Sequence, residues 1–294
     1  MARVMRRLAK VPEGMIFNIE HTTEYSYPES VVLDPHLLRL TPRPGPNQRV
    51  LSQQVEIFPE PRGTSEFLDA HNNVAVSAWF EGRTNSLKIV NRCTVETLGT
   101  NPFDFLLLRA NNVVPMGLDP IERRALDFYL DRPTISVKVD QFAAKLIDQA
   151  DGYIGRFLTL LTATLHADFG QMTRETGEPY TPEVCLEQRR GACRDLAVLF
   201  MDACRSVGIP ARFVSGYQEG SSRMTKRYLH AWPEVYLAQA GWRGYDPTLN
   251  IAVADRHVPL AAAYSPKGAA PVTGTYWSSR TDAVLAYDLK LAVS

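Results

Sequence analysis

Short runs in which apolar and polar residues alternate fill the N-terminal third of the chain: Ile16 to Tyr27, Val50 to Ile57, Val74 to Phe80 and Leu87 to Leu98. A two-residue period places the apolar side chains on one face of a strand, so this region predicts an antiparallel β-sandwich. Asn72-Asn73 before Val74 and Gly82 after Phe80 supply turn chemistry around one of these strands. Between Asn101 and Pro120 the period lapses, and Pro115, Gly117 and Pro120 mark a junction between two domains. Beyond it the period lengthens. Asp119-Pro120 is a cap followed by a first-turn proline and opens a helix through Tyr129; Gln141 to Asp148 and Ile154 to Leu165 are spaced as two more.

The strongest helical pattern runs from Cys193 to Val207, where Leu196, Leu199, Phe200, Ala203 and Val207 recur mostly at steps of three and four. Gly191 precedes it and Gly208-Ile209-Pro210 ends it. Three strand-like runs follow, Ala211 to Gln218, His230 to Leu237 and Gly241 to Tyr245, the last two joined by a tight turn at Ala238-Gln239-Ala240. The expected class is α+β. Residues 1–14 are an N-terminal extension, 15–110 a β-sandwich, 111–262 a core in which a helix packs on a small antiparallel sheet, and 263–294 a tail. Tyr287 to Val293 alternates like a strand, and the tail is expected to return to the β domain and tie the halves together.

Composition removes several function classes. The 294 residues are 45% hydrophobic and 22% charged, as in ordinary soluble globular proteins. Lys+Arg and Asp+Glu both number 32, so no overall field favours nucleic acid or an anionic membrane. The basic first ten residues run into Pro12, Glu13 and Gly14 instead of an apolar stretch, and no segment has the length and apolarity of a membrane span, so the expected compartment is the cytoplasm. Cys93, Cys185, Cys193 and Cys204 contain no C-x-x-C pair, and there is no His-x-x-x-His or dense carboxylate loop, so no metal site is expected.

Chemistry is expected at Cys193. The partial positive charge at a helix N-terminus favours a thiolate, and Cys193 occupies that position. Cys204 lies late in the same helix among Phe200, Ala203 and Val207 and reads as packing, as do Cys93 and Cys185. A thiol nucleophile needs a base and a group that orients it. His230 opens one strand and Asp246 closes the next, so a hairpin turning near Ala238 would set the two opposite each other. His21, His36, His71 and His166 sit in structural settings; His257, near Asp255, is the rival base, with no strand pairing legible that would aim it at Cys193.

Four ordered segments, Gly191-Ala192-Cys193-Arg194-Asp195-Leu196-Ala197, Ala211 to Tyr217, His230-Ala231-Trp232-Pro233-Glu234-Val235 and Gly241 to Thr248, resemble the bacterial transglutaminase-like superfamily. His21-Thr22-Thr23-Glu24-Tyr25-Ser26-Tyr27 and His36 to Pro42 are similar to the β-rich domain that precedes the core in those proteins. The resemblance implies a papain-like core in which Cys193 attacks an amide carbonyl of a peptide or protein substrate, His230 passes the proton to the departing amine, and Asp246 orients His230, with no metal or organic cofactor. Hydrolysis of the thioester would make the chain a peptidase or amidase, and amine transfer a transglutaminase; a non-catalytic peptide-binding scaffold is the reading from another class. Gln188, just before the nucleophile, is the oxyanion candidate, and Trp232 and Trp242 are candidates for cleft walls. Pro233 departs from the family pattern and suggests an edge strand or bulge, and Ser221 to Tyr228 is a polar, basic loop able to gate or select the substrate.

Overall fold

The computed structural model describes residues 14–220, 226–278 and 283–294. Six strands come first: β1 Ile16–Leu33, β2 His36–Leu38, β3 Gln48–Phe58, β4 Gly63–Leu68, β5 Val74–Trp79 and β6 Thr84–Thr97. The helical stretch holds α1 Pro120–Leu126, α2 Val137–Gln149 and α3 Ile154–Asp168. Next come the short β7 Gly170–Gln171, α4 Pro182–Gln188, β8 Arg190–Gly191 and α5 Cys193–Ser206. Strands β9 Ala211–Gln218, β10 His230–Leu237, β11 Gly241–Asp246, β12 Ile251–Ala252 and β13 His257–Ala263 complete the core. The tail carries β14 Val272–Thr273, β15 Tyr276–Trp277 and β16 Val284–Val293.

The β half consists of two sheets. One has β1 at its centre, β6 and then β3 on one side, and on the other β16 against the first part of β1 and β15 against its end; the second runs β14-β2-β5-β4. Their apolar faces, with Phe17, Ile19, Leu87, Ile89 and Val95 from the first and Leu38 from the second, share one core. Alternation is visible in β6, where Leu87, Ile89, Cys93 and Val95 are buried and Lys88, Arg92 and Thr94 are not. The tail strand β16 pairs antiparallel with β1 from Phe17↔Val293 to Ser26↔Val284.

In the core, α5 buries Leu196, Leu199, Phe200 and Ala203 against α2, α3 and the odd-numbered face of β10, which offers Ala231, Val235 and Leu237. The helices begin where side-chain caps satisfy their first N–H groups: Asp119 for α1, Ser136 for α2 and Thr181 for α4. With Ser136 as its cap, α2 starts at Val137, four residues ahead of the predicted Gln141. Thr181-Pro182 has the same cap-plus-proline signature as Asp119-Pro120 and opens a helix that the apolar spacing did not suggest.

The core sheet has five strands in the order β12-β11-β10-β9-β13. His257, placed by sequence in an irregular stretch, heads β13, which pairs with β9. Pro233 is not on an edge strand: β10 is central. Its ladder with β9 runs through Pro233↔Phe213, whereas the ladder with β11 stops at Glu234↔Gly244, so the interruption falls on the β11 side.

The two halves share packing and polar contacts. Tyr217, Val258 and Leu260 of the core enter the apolar cluster of the β half. Asn73, fully buried, donates to Ala262 O at 3.0 Å and accepts from Ala262 N at 2.8 Å, and Gln48 donates to Pro259 O. Such buried amide pairs fix a docking geometry, because separating them leaves unpaired groups. The segment 221–225 of the basic loop lies outside the described residues, as do residues 1–13.

Candidate active site

The start of α5 is built around Asp195. Its carboxylate, fully buried, accepts from Ala192 N at 2.7 Å, Tyr180 N at 2.8 Å and Arg174 Nη2 at 2.6 Å. It thereby caps the helix and ties it to the loop that approaches α4. Arg194 holds the same loop by donating to Arg174 O and Thr176 O. Gly191 fits here because a Cβ would lie 2.7 Å from Asp195 Cβ. Cys193 is the first residue of α5 and half-buried, with its own N–H at the helix terminus.

Cys193 and His230 line the same cleft, and each shifts the titration of the other. His230 uses Nε2 for Asp246 Oδ2 at 2.7 Å, which leaves Nδ1 for the thiol. The His230–Asp246 contact is diagonal. With Glu234 paired to Gly244, the register carried two residues further sets Asp246 opposite Trp232, not His230, because the hairpin turns one residue later than the sequence spacing suggested. Residues two apart on a strand share a face, so the pair still meets.

Asp246 is fully buried and holds four hydrogen bonds. Oδ1 accepts from Thr248 N at 2.9 Å and Thr248 Oγ1 at 2.5 Å; Oδ2 accepts from His230 and, at 3.0 Å, from Nε2 of His257. Burial opposes its charge, but the two imidazoles outweigh that and hold Asp246 well below the usual carboxylate range. Burial likewise opposes a charged His230, yet the Asp246 carboxylate and the Cys193 thiol raise it to about 10. For Cys193, burial raises the pKa, while the His230 imidazole and the Ala231 main chain bring it below the ordinary thiol value. The cluster therefore favours a thiolate–imidazolium pair. The other thiols move the opposite way: burial pushes Cys93 and Cys185 up to about 12 and Cys204 well above its ordinary value.

His257, marked in the sequence only as a rival base, has a place beside Asp246 that the sequence did not show. It is 2% exposed, donates to the same carboxylate oxygen as His230, and has an Nδ1 without a hydrogen-bond partner among the described residues. Burial holds its pKa down, so it is a neutral donor. It does not face Cys193 as a base. It acts on the site through Asp246. One donor atom from each of His230, Asp246 and His257 lies within 4.8 Å of the others, a spacing open to a metal ion, but N–H···O bonds already join these atoms.

The remaining candidates are placed differently. Gln188 is exposed at the end of α4 and does not line the cleft. Gln171 does: β7 pairs in parallel with β8, setting Gln171 beside Gly191, and its amide donates to Thr248 O at 2.5 Å. Trp232 is fully buried, stacked on His230 at 6.1 Å and edge-on to His257 at 5.0 Å, so it supports the imidazoles without lining the cleft. Trp242 packs with Tyr129, Tyr236 and Arg212, away from the triad. The cleft itself has a volume of about 1320 Å³ and runs between the two halves, from Gln171, Cys193 and His230 to residues of β1 and β16.

Two family models match separate stretches of the chain. Residues 17–96 match the bacterial transglutaminase-like N-terminal region, and residues 142–247 match the transglutaminase-like superfamily core. An uncharacterised protein of Mycobacterium leprae is 25% identical over 265 residues, covering 88% of this chain and 92% of its own. A protein-glutamine gamma-glutamyltransferase of Pseudomonas aeruginosa is 34% identical over 84 residues, which are 26% of this chain and 13% of that enzyme. A crystal structure from Cytophaga hutchinsonii, named provisionally as a cysteine protease, shares the fold with a TM-score of 0.68 at 16% identity, over 96% of this chain and 91% of its own. The chain belongs to the transglutaminase-like superfamily, whose members are generally cysteine-based enzymes, and it carries the N-terminal region found in the bacterial ones.

Proposed function

We propose that the protein is a cysteine-dependent acyl hydrolase acting on a peptide or isopeptide amide. The observation that carries this reading is the convergence of a helix-start thiol and a buried imidazole–carboxylate pair on one cleft of about 1320 Å³. That volume exceeds the range of about 300–1,000 Å³ usual for small-molecule pockets and suits a length of chain.

Cys193 Sγ, as the thiolate, attacks the carbonyl carbon. The tetrahedral oxyanion is stabilised by the Cys193 N–H and by the Gln171 amide, which lines the cleft beside Gly191. His230, held as the imidazolium by Asp246, gives its proton to the amine as the C–N bond breaks, leaving an acyl-thioester. Water, deprotonated by the now neutral His230, then attacks the thioester and releases acid and thiolate. The His230 side chain is 16% exposed, which gives water a route to it.

Amine transfer in place of hydrolysis is the second reading, favoured by the short Pseudomonas match. The two separate in one experiment. Glutamine peptides and simple peptide amides are supplied with and without a primary amine, and products are read by mass. Acid products with or without amine support hydrolysis; accumulation of the amine adduct makes the protein a transferase.

A further inference from the structure

The motif His21-Thr22-Thr23-Glu24-Tyr25-Ser26-Tyr27 is far from the triad in sequence, yet its alternate residues His21, Thr23, Tyr25 and Tyr27 all line the cleft. They share one face of β1 by the two-residue period. On the neighbouring strand, Leu285 stands opposite Tyr25 and Tyr287 opposite Thr23, and both line the cleft as well.

Charge is sorted across this sheet. Glu20 and Glu24 alternate onto the other face, as do their cross-strand partners Arg92, Lys88 and Lys290 and the Asp288 that faces Thr22. Glu20, Arg92 and Lys290 are joined there by ion pairs. Among the described residues of β1 and β16 that line the cleft, the one titratable group other than tyrosine is His21, which is buried and bonded to Tyr217 and Thr23; at the edge of this face the Lys226 ammonium, paired with Glu175, stands over the rings of Tyr228 and Tyr287. Two of the tyrosines meet rings from elsewhere in the chain: Tyr27 lies 4.7 Å from Tyr276, and Tyr287 lies 6.0 Å from Tyr228, centroid to centroid. A tyrosine offers a rigid apolar face and a polar tip, so such a row takes up an apolar side chain while its hydroxyls meet a peptide backbone.

We propose that this face of the β domain is the specificity wall of the cleft, selecting peptides that carry an aromatic or large apolar side chain close to the reacting carbonyl. The inference rests on the proposed attack by Cys193. It gives the N-terminal domain a direct part in substrate choice, and the tail strand β16 a part in the same wall.

The test uses the full chain and peptidyl chloromethyl ketones, which label a reactive thiol without turnover. Two probes differ only in carrying Phe or Ser beside the reacting residue, and iodoacetamide, which needs no subsite, gives the reference rate for each variant. The expected result is a Phe-over-Ser preference of at least about ten-fold, as for burial of one large apolar group. That preference falls to within about two-fold in Tyr25→Ala and Tyr287→Ala and persists in Tyr25→Phe, which keeps the ring. A wild type without preference, or alanine variants that retain it, overturns the inference while leaving Cys193 chemistry intact. Failure of iodoacetamide to label Cys193 removes the reading beneath it, and the inference falls with it.

Discussion

Replacing His257 by leucine removes one of four hydrogen bonds to a carboxylate that has no access to water. A hydrogen bond to a buried charge contributes about 1.5–3 kcal/mol, so His257→Leu is expected to lower unfolding stability at pH 7 by that amount. The second effect concerns His230. The two imidazoles share Asp246 Oδ2, at 2.7 and 3.0 Å. When the neutral donor is gone, the carboxylate charge falls more fully on His230 and raises it further. If half of the lost energy returns as tighter pairing, the shift is up to about one pKa unit, at 1.36 kcal/mol per unit. A more basic imidazolium surrenders its proton to the departing amine less readily, so kcat falls while the alkaline limb of the pH profile moves up. Near His257 the other charged groups are Arg256, beside it in sequence, and Glu219, which pairs with Arg256; neither replaces the lost donor. The assay is the pH dependence of kcat and kcat/KM on a peptide amide, paired with urea unfolding. His257→Gln, with an amide donor, is expected to keep the wild-type limb. Loss of stability in His257→Leu with an unmoved or lowered alkaline limb would refute the reasoning.

Other outcomes are expected at the same site and around it. Alkylation of Cys193 should remain fast below the ordinary thiol range, because its pKa is lowered, whereas hydrolysis should decline as pH rises through about 10, where His230 loses its proton; rate profiles with iodoacetamide and peptide check both. The raised His230 also adds stability that is complete below pH 6.5 and lost as pH rises through 10. Asp195→Ala leaves Arg174 without its carboxylate and two main-chain N–H groups without an acceptor, so urea unfolding should show a loss of about 3–5 kcal/mol. His21 has the opposite sign to His230: burial lowers it from 6.5 to about 4. Its contribution is therefore present above pH 6.5 and lost as pH falls toward 4, about 3 kcal/mol that His21→Gln should remove from the acid dependence measured by urea midpoints.

Local patterns carried much of this molecule. The apolar spacing of α5 and the alternation in β1 and β6 are properties of a few consecutive residues, and so are the caps at Asp119 and Thr181, although the second needed the cap signature and not the spacing. What escaped was set by pairing between distant segments. Gln171 comes to line the cleft beside Gly191 only because β7 pairs with β8, and nothing in its own neighbourhood marks it, whereas Gln188, close to Cys193 in sequence, is carried to the surface by the end of α4. His257 meets Asp246 because β13 joins β9 across the sheet from β11. Pro233 pointed to an edge, yet a central strand holds it because the adjacent ladder is interrupted there. Trp242 shares a strand face with Asp246 but sits at the far end of it, against Tyr236 and Arg212. Alternation gives a face and not a position along it.

The central claim concerns one thiol among four, and peptide mapping after brief alkylation tests it directly. Native protein is treated with limiting iodoacetamide at neutral pH, and Cys93, Cys185, Cys193 and Cys204 are quantified separately. The account predicts modification of Cys193 alone, slowed strongly in His230→Ala. Labelling of Cys204 with Cys193 untouched, or a Cys193 rate indifferent to His230, would contradict it.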